Sequence, residues 1–240
     1  MTDTVDTKGC TRDSWLEGII GRPVYHVRTT DSLQSKNLED EIRQLQKQRV
    51  FLFAKLPVAD VASAKKLQDL GFYIVDTSVI FEKSSGFDRS RTLIKGVRPA
   101  QLRDENAAVE IARRSFKFSR FHLDPHIPGE TADSIKAEWV RNFFKGKRGD
   151  ELIVVDEDGL KGFCLMFIQA GRIIIDLIAV DERAANKGLG TAMLQYIEGR
   201  YRGIDSITVG TQIANVPSQR LYEKNGYRLK EASYVFHYFN

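Results

Sequence analysis

Three stretches hold residue types whose spacing could do chemistry. The first is ANKGLGTAML, Ala185 to Leu194, in which Gly188 and Gly190 flank Leu189 and the chain runs on into helix-forming residues. A glycine turn that opens a helix leaves several main-chain N–H groups without intrahelical acceptors, at the positive end of the helix dipole. Such a nest binds phosphate. A side chain at either glycine would hold an anion away from the backbone. The spacing excludes the two commonest nucleotide cradles. A P-loop needs four residues between its glycines and then Gly-Lys, and a dinucleotide fingerprint needs a third glycine where Ala192 and Met193 stand. Unaided, the stretch also reads as an ordinary tight turn. The second stretch is ANVPSQRLYEKNGY, with Asn215 and Tyr222 seven residues apart; a helical tyrosine beside Leu221 is by itself most often a packing residue. The third is Ala112 to Arg148, with nine basic residues against four acidic ones, an excess larger than the +4 of the whole chain. It is either a solvated helical surface or a patch that draws in an anionic substrate.

The elements that must position these residues follow from periodicity. ELIVV, LKGFCLMFI and RIIIDLIAV read as a three-strand meander, the first pair joined by the hairpin signal DEDG. KGLGTAMLQYIEGRY sets Leu189, Ala192, Met193, Tyr196 and Ile197 on one face of a helix, so the glycine turn joins a buried strand to that helix. DSITVGT is a strand, ANVPSQRLYEKNGY a helix with Pro217 in its first turn and Gly226 at its end, and SYVFHYF a last strand. Upstream, TLIKGVR is expected as a strand and AQLRDENAAVEIARRSF as a helix. The first ninety residues contain an echo of the last: Ala59 to Lys83 aligns without gaps on Ala214 to Tyr238 at an offset of 155. Val61, Ser63, Gly71, Ser78 and Phe81 match Val216, Ser218, Gly226, Ser233 and Phe236, whereas Asp60 and Leu67 stand where the later copy has Asn215 and Tyr222. The expected organisation is a partial, non-catalytic copy over 1–90 and a catalytic domain over 91–240, with the boundary in the polar EKSSGFDRSR.

Composition bounds the class. With 42% hydrophobic and 28% charged residues the chain can bury a full core. No apolar run approaches the roughly 18 residues of a membrane span, and the start lacks the pattern of a secretory leader, so the expectation is a cytoplasmic protein without membrane association. The mild net charge gives no reason to expect nucleic acid as a partner. Cys10 and Cys164 stand far apart, Cys164 as a core residue, and no metal-ligand spacing is present, so no metal is expected.

Taken in order, the meander, the glycine turn opening a helix, the next strand and N-x-x-S-x-x-x-Y-E-K-N-G-Y resemble the GCN5-related N-acetyltransferase (GNAT) family over roughly Thr92 to Asn240. The resemblance implies an α/β GNAT fold: a mixed, mostly antiparallel, twisted sheet flanked by helices. It implies acetyl-CoA as co-substrate, its pyrophosphate clasped by the backbone of Asn186, Lys187, Gly188, Leu189, Gly190 and Thr191. A bulge at Ile178, Ala179 and Val180 would splay the strand so that pantetheine pairs with it. By the same resemblance Asn215 orients the cofactor and Tyr222 is the general acid for the departing thiolate. The family commonly has Gln or Arg where Ala185 stands; Lys187 or Arg183 would supply the charge instead. The family also often forms homodimers.

Within the family, SRF after the first helix, Trp139 before the meander and the partial N-terminal copy are similar to the TDP-fucosamine acetyltransferases. That likeness implies a TDP- or UDP-linked deoxyamino sugar as acceptor. Arg120 and Arg141 would pair with its phosphates and Phe121 or Trp139 would stack on base or sugar, unless these two rings serve the core. His122 and His126 could relay the amine proton, although Pro125 between them suggests a turn in which both face solvent. Peptide, N-terminal or small-molecule amines, or a non-catalytic acetyl-CoA-binding module, are the alternatives.

Overall fold

The computed structural model describes residues 9–28, 36–88, 90 and 94–240. The first half runs β1 (Cys10–Arg12), α1 (Ser14–Ile20), β2 (Val24–Val27), α2 (Lys36–Leu45), β3 (Phe51–Pro57), α3 (Val61–Asp69) and β4 (Tyr73–Lys83). The second runs β5 (Val97–Pro99), α4 (Glu105–Ser115), α5 (Gly129–Phe144), β6 (Glu151–Asp156), β7 (Leu160–Gln169), β8 (Arg172–Val180), α6 (Leu189–Arg200), β9 (Ser206–Gln212), α7 (Val216–Lys224) and β10 (Arg228–Phe239). The ten described strands form one mixed, mostly antiparallel sheet in the order β1-β2-β3-β10-β4-β9-β8-β7-β6-β5; β2/β3 and β8/β9 are its parallel pairs. The meander is β6-β7-β8, and Asp158 and Gly159, both at positive φ, turn its first hairpin.

Two expected elements differ from those observed. Thr92 and Leu93 lie outside the described residues, and Ile94 to Gly96 form a turn with Gly96 at φ 80°, so the chain enters the sheet only at Val97. The helix expected from Ala100 starts at Glu105 because Asp104, bonded to the Gln101 amide and to Arg98, first closes a 3₁₀ turn.

The offset of the internal echo is also the register of the sheet. β3, α3 and the start of β4 coincide with β9, α7 and the start of β10 when 155 is added to each number. The copies exchange their last strands: β10 pairs with β3, β4 pairs with β9, and β4 and β10 meet antiparallel at the centre. Ser78 lies opposite Ser233, its own counterpart, and Ser233↔Pro57 mirrors Ser78↔Gln212. The register shifts in β4/β10 fall at Val75 and Lys230, which are counterparts too. The sheet is therefore continuous across the sequence boundary near residue 90, and β4 of the first half lies between β9 and β10 of the second.

Alternation along these strands sorts the core onto two faces. Leu52, Ala54 and Leu56 of β3 pack with α2 and α3, and Ile207 and Val209 of β9 pack with α6 and α7. The register carries these positions onto one face. On the other, Phe51 and Phe53 join α1 and α5, while Phe163, Leu165, Leu177 and Ala179 meet α4 and α5. Lys83 of β4 pairs with the buried Glu198 of α6 at 2.8 Å, tying the first half to the helix opened by the glycine turn.

Candidate active site

β8 and β9 pair only from Arg172/Ser206 to Ile175/Val209. Beyond that point β8 stays with β7 through Val180 while β9 follows β4 through Gln212, so the sheet opens into a wedge edged by Ile178, Ala179 and Val180. The irregularity responsible is Asp176, since Leu165 pairs with Leu177 and Met166 with Ile175. The bulge thus precedes Ile178 to Val180, where the sequence placed it. Asp176 is fixed there by Arg148, whose guanidinium reaches both carboxylate oxygens at 2.7 and 2.8 Å.

After β8 the chain makes a 3₁₀ turn over Glu182–Ala184 and reaches Gly188, the N-cap of α6 at φ 79°. The first helical bond returns from Ala192 N–H to Gly188 carbonyl at 2.9 Å, and the N–H groups of Asn186 to Thr191 find no acceptor among the described residues. The space a Cβ would occupy at Gly188 is open, so its glycine is required by the left-handed backbone. Gly190 has a different reason from the one expected. A Cβ there would meet Leu221 Cδ2 at 2.9 Å, so this glycine lets α6 and α7 approach each other. Leu189 is buried in the core and leaves the nest clear, while Asn186, Lys187 and Arg183 are exposed around it. A diphosphate fits this corner by the chemistry of its donors, unpartnered amides at a helix start with cations nearby.

The Leu221 contact and the bond from Asn225 Nδ2 to Thr191 Oγ1, 3.1 Å, hold the nest against α7. Asn215 caps that helix, accepting from Ser218 N–H at 3.3 Å and donating to Thr211 Oγ1 at 3.1 Å, so its amide anchors α7. Tyr222 is 2% exposed, packed on Phe81 of β4 and on Tyr227. Burial pushes its phenol well above the usual tyrosine range, which keeps it protonated and able to donate.

The opposite face of the sheet, toward α1 and α5, holds the basic segment. Arg120 lies between Phe53 and Phe121, 4.1 and 4.4 Å from the ring centroids, and its Nη1 is 3.2 Å from His237 Nε2. His237 is fully buried, and its Nδ1 stands 2.6 Å from Asp124 Oδ2. Burial lowers His237 to about 4. Against burial, the hydrogen bonds from His237 and the His126 amide hold Asp124 down at about 2. A neutral His237 therefore donates from Nδ1 to an ionised Asp124 and accepts the Arg120 N–H at Nε2. Tyr73 donates to the same carboxylate at 3.0 Å. Arg120 forms no ion pair among the described residues, and burial lowers its guanidinium to about 10. Lys136, 8% exposed, sits 3.7 Å over Trp139, again without an ion pair, and burial lowers it to about 7. Arg148 covers the same ring at 4.3 Å, and Trp15 of α1 stacks beyond it at 6.1 Å.

Of the acceptor residues expected from the sequence, Arg120, Phe121 and Trp139 come together here, but Phe121 is 1% exposed and serves the core under Arg120, so its ring is not open to a base or sugar, whereas Trp139 is partly exposed. Arg141 does not join them, because it pairs with Glu138 on its own helix. His122 is held by Ser119 Oγ at 2.6 Å and Asp133 at 2.9 Å, so both ring nitrogens clasp the loop to α5. His126 is not merely solvated either, since it bonds Tyr73 and Asp124. Lys136, His237, Asp124, Tyr73 and Phe53 were not legible from their sequence context. A cavity of about 460 Å³ lies beyond Phe53, toward the β1 edge and away from the glycine turn, lined by Arg12, Trp15, His26 and Arg28 among others. No group of three or more His, Cys, Asp or Glu that could hold a metal, and no helix long and apolar enough to cross a membrane, occurs among the described residues.

A mixed sheet that opens between two parallel strands, with unpartnered main-chain amides at the helix start that follows the opening, has the architecture of an acyltransferase. The Acetyltransferase (GNAT) family model matches residues 107–227, half of the chain, and the protein belongs to that family. The spore coat polysaccharide biosynthesis protein SpsD of Bacillus subtilis (strain 168) is 26% identical over 191 residues, which cover 78% of this chain and 66% of SpsD, just under two thirds of its length. The crystal structure of a functionally unknown conserved protein from Staphylococcus epidermidis ATCC 12228 is similar with a TM-score of 0.68 at 14% identity, covering 99% of this chain and 94% of its own. A tandem GNAT protein from the clavulanic acid biosynthesis pathway gives 0.61 at 11% identity, over 91% of this chain and 76% of its own. These two likenesses are of fold.

Proposed function

We propose that the protein transfers the acetyl group of acetyl-CoA to the amine of a deoxyamino sugar linked to TDP or UDP. The observation that carries this reading is a pair of cations, the half-buried Arg120 and the buried Lys136, each resting on aromatic rings and neither ion-paired among the described residues. Withdrawing a cation from water without a direct ion pair is costly, and an anionic ligand offsets that cost on binding. Phosphates beside aromatic faces suit a nucleoside diphosphate, whereas a cationic peptide or antibiotic would be repelled. The likeness to SpsD, a spore coat polysaccharide biosynthesis protein, agrees with a sugar acceptor.

In this reading the amides of Asn186 to Thr191 hold the pyrophosphate and the open edge of β8 pairs with the pantetheine arm. The attacking nitrogen forms its bond to the acetyl carbon as the carbon–sulfur bond breaks, and Tyr222 gives its phenolic proton to the sulfur. The Asp124–His237 pair is a positioning device that fixes the Arg120 fork. The test is thiol release from acetyl-CoA with a panel of TDP- and UDP-linked amino sugars, the matching free sugars, and peptide amines. Turnover confined to the conjugates supports the assignment. Turnover of free or peptide amines without the conjugates overturns it.

A further inference from the structure

Asp76 lies on β4, in the half of the chain expected to be non-catalytic. Val235 of β10 pairs with Lys55 on one side and Asp76 on the other, so the three lie in a row across the sheet. Lys55 has the same parity as Phe51 and Phe53, which places Asp76 on the face that holds Arg120. Along β4 the next residue, Thr77, accepts the Ile213 N–H at 2.8 Å, just past the end of β9. That is the stretch where β9 has left β8 and the wedge has opened. Asp76 is 7% exposed, and its Oδ1 is buried without a hydrogen-bond partner. Its counterpart in the other copy, Glu231, is exposed, so the symmetry of the central strands is broken at this position. The charged groups that act on Asp76 are Lys55 from β3 and Arg120 from the α4–α5 loop; β10 places Val235 directly opposite it, with Ser233 and His237 on the same face two residues to either side.

A carboxylate oxygen buried without a donor is expensive unless a ligand supplies one. The substrate that needs an anion here is the acceptor. At neutral pH an amine is largely an ammonium ion, which binds a carboxylate well but cannot attack a carbonyl until it loses a proton. We propose that Asp76 receives the ammonium group of the acceptor and takes the proton that frees its lone pair for attack on the thioester. This rests on the transferase reading above and supplies its missing proton acceptor. The ammonium gives one proton to Asp76, and the carbon–nitrogen bond forms as the carbon–sulfur bond breaks. Tyr222 protonates the sulfur, and the second nitrogen proton leaves to solvent, from which Tyr222 is recharged. Asp76 returns its proton to solvent, so one proton is released for each acetyl transferred. Burial raises Asp76 to about 6, which suits a base working near neutral pH.

The test uses whichever amine the full-length protein turns over, so it does not depend on the sugar assignment. Thiol release is measured from about pH 5 to 9 for the native protein and Asp76→Asn, with coenzyme A affinity measured calorimetrically. The native kcat/KM should fall on the acidic side with an apparent pKa near about 6. Asp76→Asn should lose about 100-fold or more, lose that acidic limb, and bind coenzyme A unchanged. Should Asp76→Asn fail to bind coenzyme A, Asp76→Ala is assayed with added formate, which should restore turnover. A variant that keeps its rate, one that slows equally at every pH with the limb intact, or an alanine variant that formate does not rescue overturns the role of Asp76. A native protein that acetylates no amine refutes the transferase reading instead.

Discussion

Replacing Arg120 with methionine separates a substrate cation from a structural one. Methionine keeps an unbranched apolar stem between Phe53 and Phe121 and removes the guanidinium, whose only hydrogen bond among the described residues goes to His237 Nε2 at 3.2 Å. A charge-assisted bond to phosphate contributes about 1.5 to 3 kcal/mol, which converts to roughly a 10- to 150-fold rise in KM for the nucleotide-linked acceptor. The KM for acetyl-CoA should stay within about twofold, because its nest is main-chain amide several strands away across the sheet. Stability should change little or improve. The variant leaves the buried His237 Nε2 without its donor, at about 1 to 3 kcal/mol, but also removes a half-buried cation that has no direct ion pair among the described residues. The assay is steady-state kinetics with conjugated and free amino sugar beside a thermal melt. An unchanged acceptor KM, an equal loss with the free sugar, or a large fall in Tm would refute the assignment of Arg120 to phosphate.

Lys136, lowered to about 7, is largely neutral at pH 8 in the free protein, whereas the unfolded chain carries a proton there. Stability should therefore rise with pH between about 7 and 10 and lose that slope in Lys136→Met, as denaturant melts at several pH values would show. At pH 8, binding of a nucleoside diphosphate should take up protons through Lys136, visible as a buffer-dependent enthalpy; no uptake removes Lys136 from the site. Tyr222→Phe keeps the packing on Phe81 and Tyr227 and should cut kcat by about 100-fold or more, with coenzyme A affinity unchanged. Gly188→Ala forces a left-handed residue at a cost of about 1 to 2 kcal/mol and should weaken coenzyme A binding. Gly190→Ala, against Leu221, should instead shift α7 and lower kcat, and the reverse pattern in calorimetry and kinetics would refute the separate roles.

The features legible in the sequence were local ones. The meander, the glycine turn, the face of α6 and the cap of α7 each depend on residues within a few positions of one another, and each formed where its pattern lay. The face that holds Arg120 and Lys136 was less legible because it is assembled across the strand exchange. His237 reaches Arg120 across 117 residues and Asp124 across 113, and Tyr73 reaches Asp124 across 51. Nothing in HYF or DPH signals those meetings. Lys136 and Arg141 look alike in sequence, and only the orientation of α5 decides that one meets Trp139 while the other turns to Glu138. The internal echo was visible, but its consequence was not. A copy without a glycine turn reads as inert until the register places its last strand between β9 and β10.

In the transferase reading, the free main-chain amides at the start of α6 hold the diphosphate of acetyl-CoA. Amide NMR of the labelled protein titrated with coenzyme A tests it directly. Saturable shifts should concentrate at Asn186 to Thr191 and along Ile178 to Val180. Absence of binding, or shifts confined to the cavity beyond Phe53 with the α6 amides unmoved, would contradict the account.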